Sequence, residues 1–145
     1  LGGTGVAKTE FFDEIDSELA KKCRFVEELS FSTPQNKIYE KIITHLYQYR
    51  KKHMMQIISK YENLVKDGLT AKKNNTIYRA LEHGVIDTLI VSAEYHTNSQ
   101  FTKILEMLEM AENTQAKIEF TYSPKIIEKL KIHDSVLAIL RYKIR

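Results

Sequence analysis

Two stretches of this chain, residues 85–93 (VIDTLIVSA) and 135–140 (SVLAIL), are almost continuous in aliphatic and β-branched side chains. An alternating strand has one wet face, but a strand apolar at nearly every position must be covered on both. Two such strands predict a sheet with helices above and below it. The intervening sequence supplies them. Residues 98–113 (NSQFTKILEMLEMAEN) place Phe101, Ile104, Leu105, Leu108 and Ala111 on one helical stripe, and Pro124 opens another helix. Between these, AKIEFTYS alternates Ile118, Phe120 and Tyr122 as a half-buried strand does. Strands and helices alternating at this spacing predict an α/β fold, a mixed sheet sandwiched between helices in three layers.

The remaining elements follow from periodicity and punctuation. Apolar residues recur at three and four from Gln35 to Asp67, interrupted by the basic knot YRKKH (49–53), so the region reads as two helices or one with a bend. Gly68 supplies its stop. Lys72 to Asn75 form a polar turn, Asn75 or Thr76 caps a short helix through His83, and Gly84 ends it. Upstream, LGGTGVAKTEFFDEIDSEL reads as a glycine turn and a helix presenting Phe11, Phe12, Ile15 and Leu19, and RFVEELSFS (24–32) as a strand alternating through Phe25, Leu29 and Phe31. A glycine turn with no strand before it looks cut from a longer chain.

Composition excludes more than it selects. In 145 residues, 22 basic and 19 acidic side chains leave a net charge of +3, which permits a ribonucleoprotein partner without requiring one. The single cysteine, Cys23, rules out an internal disulfide and reads as a small buried side chain. No targeting segment or membrane-spanning run is legible, and the expectation is a soluble cytoplasmic chain. His45 and His53 lie eight apart, too far for an i, i+4 zinc pair. His83 with Asp87, and His133-Asp134-Ser135, hold triad residue types as sequence neighbours, where turn and capping roles are expected. The segment GGTG (2–5) lacks the length and the Lys-Ser or Lys-Thr of a phosphate loop. Arg50 to His53, Lys72 and Lys73 could touch phosphate but more simply solvate helix ends. Residue chemistry therefore assembles no catalytic site and calls for no cofactor or metal; a binding module is expected.

Three segments in order, LGGTGVAKTEFF, RALEHGVIDTLIVS and AILRYKI (138–144), resemble the class 1 peptide chain release factors of archaea and eukaryotes. The resemblance implies that residues 1–24 end the family's central domain and that residues 25–145 form its C-terminal domain. It implies a role in translation termination on the ribosome. The family's stop-codon-reading domain and Gly-Gly-Gln loop are not in this chain, and GGTG has Thr4 where that loop needs glutamine. What remains resembles the domain that docks a translational GTPase of the elongation-factor type and an ABC-type recycling ATPase. By carry-over, Ile139, Leu140, Arg141 and Tyr142 form the partner-binding segment. Two departures stand out: Asp134 and Ser135 replace the family's paired glycines, and AEYHTNSQF is too short for the small lobe that many relatives insert there. Pelota, the ribosome-rescue paralogue, shares the architecture. The segment KKNNTIYRALEHGVIDTLIVSAE is also similar to the kink-turn RNA-binding ribosomal proteins, though Lys73-Asn74-Asn75-Thr76 lacks their acidic residue.

Overall fold

The structure, a computed structural model, describes residues 1–24 and 29–143. The chain divides into two compact units, Leu1–Lys52 and His53–Arg145.

In the first unit, α1 (Ala7–Glu14) and α2 (Ser17–Lys22) bury no side chain fully. The single helix expected here is broken because Asp16 turns its carboxylate onto the next helix start: Oδ1 accepts from the Glu18 N–H at 2.8 Å. Phe25 to Glu28 of the expected strand lie outside the described residues. Leu29 to Phe31 are irregular, and Phe31 is fully exposed. Cys23 is half-buried, held less deeply than its type suggests.

The long α3 (Gln35–Val65) is one helix rather than two, and it runs through the boundary between the units. Only Met54 and Tyr61 of α3 are buried, both in the second unit. Gly68 ends it at φ 68°, with the Leu69 N–H donating back to the Leu64 carbonyl.

The rest of the second unit is β1 (Thr70–Ala71), α4 (Asn74–Glu82), β2 (Ile86–Ser92), a 3-10 turn (Tyr95–Thr97), α5 (Phe101–Asn113), β3 (Lys117–Thr121), α6 (Pro124–Lys131) and β4 (Val136–Leu140). The strands order β1-β4-β2-β3, with β2 and β3 parallel and the other two pairs antiparallel. This is the mixed α/β sheet that the two aliphatic runs require.

Register divides those runs between two cores. Leu89 faces Ala138 and Val91 faces Val136, and these four join Ile77, Leu81, Ile104 and Met107 of α4 and α5. Ile90 faces Leu137, and with Ile139 they join Met54, Tyr61 and Leu130 of α3 and α6 on the other side. Both central strands are therefore apolar at successive positions for a physical reason: each neighbour feeds a different core. A register shift between Ile86 and Thr88 bulges out Asp87, the one acidic residue of the run. There it pairs with Lys60 of α3 at 3.0 Å and accepts a hydrogen bond from the Thr88 hydroxyl at 3.1 Å.

Three local expectations need correction. The α5 stripe is Ile104, Met107 and Ala111 with Leu108 packed beside them, whereas Phe101 and Leu105 are exposed. On β3, an edge strand, Phe120 reaches solvent and packs on Tyr95 instead of the core, and Tyr122, just past the strand's end, is exposed. The cap of α4 is Lys73, not Asn75 or Thr76. Asp134 and Ser135, where glycines were expected from the resemblance, adopt the left-handed conformation themselves at φ 56° and 70°. Among the described residues, no helix is long and apolar enough to cross a membrane.

Candidate partner-binding surface

Three helices of the second unit end on the loops around the C-terminal end of β4. The α3–β1 loop turns at Gly68, the α4–β2 loop at Gly84 (φ 63°) and the α5–β3 loop at Gln115 (φ 55°), each in the left-handed conformation that stops a helix. β4 ties into two of these loops directly: the Leu140 N–H donates to Leu69 O and the Arg141 N–H to Val85 O. Each helix end leaves carbonyls without intrahelical partners and carries partial negative charge.

Arg141 sits where these ends converge. Its guanidinium donates to Gly84 O at 3.3 Å, Thr114 O at 3.3 Å and Gln115 O at 3.2 Å. One side chain thus binds the C-terminal ends of α4 and α5. Although Arg141 is exposed, much of its donor capacity is spent inside the chain. Tyr142 is different: its side chain is 57% exposed, next to the exposed Lys143.

The four residues singled out from the resemblance therefore separate into two pairs. Ile139 and Leu140 are sealed in the cores, at 1% and 6% exposure. Alternation along a covered strand dictates this. Arg141 and Tyr142, beyond the strand's end, reach solvent, and both are residue types enriched among interface hot spots. The rim contributed by His83, Gly84, Thr114 and Gln115 could not be singled out in the sequence, because these residues lie far apart along the chain and carry no common motif.

Two histidines make contacts within the chain. His83 closes α4, with Nδ1 2.8 Å from Arg79 O, and His53 pairs with Glu119 at 3.1 Å. No group of three His, Cys, Asp or Glu side chains able to hold a metal ion occurs among the described residues. Among the described residues, two groups titrate away from their usual range. Lys60 beside Asp87 holds its carboxyl below the ordinary value, and burial pushes the Tyr61 phenol up. Both fasten α3 to the sheet and neither lies at the rim.

No protein-family model matches the chain. It is 31% identical over 116 residues, 75% of its length, to the Pelota homolog of Methanocaldococcus jannaschii, and it spans about a third (33%) of that relative. Among solved structures, it is similar to archaeal Pelota in a ribosome-bound model with ABCE1, at a TM-score of 0.70 and 23% identity over 99% of this chain and 43% of that one. Saccharomyces cerevisiae Dom34, a translation termination-like factor that interacts with Hbs1, gives 0.66 and 15% over 94% and 40%. The isolated C-terminal domain of the peptide chain release factor of Methanosarcina mazei gives 0.58 and 15%, covering 78% of this chain and 98% of that one. The chain thus has the fold of the C-terminal domain shared by Pelota and class 1 release factors.

Proposed function

We propose that this chain is the partner-recruiting C-terminal domain of a Pelota-type translation factor that acts on cytoplasmic ribosomes. It docks a translational GTPase of the elongation-factor type and an ABC-type recycling ATPase, and performs no chemistry of its own. The observation that carries the reading is the 31% identity to archaeal Pelota. The ATPase partner is supported by the Pelota structure with ABCE1, and a separate protein partner by the interaction of Dom34 with Hbs1. The rim around Tyr142 and Arg141 is the surface assigned to the GTPase. Termination by a class 1 release factor is the second reading, favoured by the near-complete cover of the M. mazei domain and by the segment AILRYKI.

Calorimetric titration of the chain with an elongation-factor-type GTPase tests the docking. Tyr142→Ala is expected to weaken binding at least about tenfold, the loss of about 1.4 kcal/mol that a truncated interface aromatic typically exceeds. Unchanged affinity in both Tyr142→Ala and Arg141→Ala rejects the rim. The two readings part on peptidyl-tRNA hydrolysis. The protein that carries this domain is expected to release no peptide from stop-codon-programmed ribosomes, and stop-dependent release would instead select termination.

A further inference from the structure

The sheet has two edges, and they differ in what they offer. β1 is two residues long, too short to hold another strand. β3 runs for five residues, Lys117–Thr121, and among the described residues it pairs with β2 alone. The Thr121 carbonyl accepts from the Ala93 N–H at 3.0 Å, so Thr121 turns its backbone polar groups toward β2. By alternation Glu119 and Lys117 do the same, and Ile118 and Phe120 turn theirs to the open edge. β3 holds no proline and its pairing with β2 no bulge, two devices that would blunt such an edge.

The side chains of the strand sort onto two faces. On the α5 side Ile118 packs against the core and Phe120 joins an aromatic cluster, in which Tyr95 stacks on Phe101 at 5.8 Å and tilts on Phe120 at 6.0 Å. Phe101, Phe120 and Leu105, 37%, 38% and 41% exposed, leave an apolar shelf open beside the edge. On the other face Lys117 is exposed, and Glu119 meets His53 of α3 through one oxygen at 3.1 Å, leaving the second for another cation. An edge with one sign of charge would repel its own copy. β3 carries both signs, two residues apart.

We infer that the occupant of this edge is a second copy of the chain, its β3 running antiparallel about a two-fold axis. Only residues with outward backbone groups exchange hydrogen bonds across such a pair, so the axis lies at Ile118, Glu119 or Phe120. At Glu119 it would set that carboxylate against its own copy. At Phe120 it would set Glu119 against Thr121 and leave Lys117 beyond the paired strand. At Ile118 it sets Lys117 of each copy against Glu119 of the other, twice over, and bulky Phe120 opposite small Ala116. Charge complementarity therefore selects both the occupant and the register. The two Ile118 residues exchange their backbone bonds, and two four-stranded sheets become one continuous sheet.

Sedimentation equilibrium of the full chain tests this. A reversible dimer is expected in the micromolar range, the weak association proper to an interface of one strand and a small apolar shelf. Lys117→Glu, which changes only an exposed side chain, places glutamate against glutamate at both charge pairs, and Glu119→Lys places lysine against lysine. Each variant alone is expected to dimerise at least about tenfold more weakly than the parent chain. Mixed in equal amounts, the two are expected to form a heterodimer as strong as the parent's, because every pair is then one lysine and one glutamate. Recovery in the mixture also shows that both variants are folded. A parent chain that stays monomeric up to about 1 mM, a variant that dimerises as well as the parent, or a mixture no stronger than its components overturns the inference.

Discussion

Arg141 is predicted to be a structural clamp before it is an interface residue, and the two roles can be separated quantitatively. Its three acceptor distances, 3.2–3.3 Å, are at the long end of the hydrogen-bond range. A typical intramolecular hydrogen bond contributes about 0.5–1.5 kcal/mol, and three long bonds from one exposed side chain fall at or below the low end. The cation also faces the C-termini of α4 and α5, each interaction worth about 0.3–1 kcal/mol at low salt. Because these contributions share one guanidinium they do not sum fully, so Arg141→Ala is expected to cost about 1–2 kcal/mol. At roughly 4 °C per kcal/mol for a chain of this size, the melting temperature falls by about 4–8 °C. Arg141→Lys keeps the charge but cannot fork across three carbonyls, and is expected to lose about half as much. Urea titration followed by circular dichroism measures this at low and high salt, with the difference shrinking as salt screens the helix ends. An Arg141→Ala midpoint equal to that of the parent chain at low salt refutes the clamp. It follows that weakened partner binding in Arg141→Ala alone would not identify an interface, which is why Tyr142, making no such contacts with the helix ends, is the cleaner probe.

Gly84→Ala forces a Cβ into φ 63° with only Thr114 Cγ2 nearby at 3.9 Å, so backbone strain alone should cost about 1–2 kcal/mol in a thermal melt. Met107→Ala, in the α4–α5 core, should cost about 2–5 kcal/mol, whereas Leu105→Ala on the exposed face of the same helix should cost well under half of that by urea denaturation. Asp87 has a folded-state pKa below its unfolded value. Its pairing therefore contributes stability that is fully present above about pH 4 and is lost as pH falls through the depressed pKa. An acid titration of unfolding free energy should accordingly show a shallower fall below pH 4 in Asp87→Asn than in the parent, with the variant less stable at pH 7.

Several elements could be read before folding because their signals are local. Continuous aliphatic runs announce doubly covered strands, and Gly68 and Gly84 announce helix ends; each is dictated by sterics within a few residues. β1 could not be read, since two residues have no period and Thr70–Ala71 becomes a strand only through pairing with Ile139 and Ala138. The bulge at Asp87 and the break at Asp16 are competitions between a local polar group and the surrounding pattern, and a pattern-based reading favours the majority. Gln115 and Asp134 take left-handed positions without glycine, removing the usual marker. At the rim, Arg141 and Tyr142 are singled out only through the resemblance of AILRYKI to a known family's closing strand, not by any local pattern. The carbonyls that engage Arg141 belong to loops 26 to 57 residues away and come together only in the folded chain.

The account rests most on the β4 rim as the face that meets a GTPase, and hydrogen exchange of the chain with and without that partner reads the face directly. Added protection is expected at the amides around His83–Val85, Thr114–Ala116 and Tyr142, with the start of α4 unaffected. Protection confined to the β3 edge or to α6, with the rim exchanging as freely as before, would contradict it.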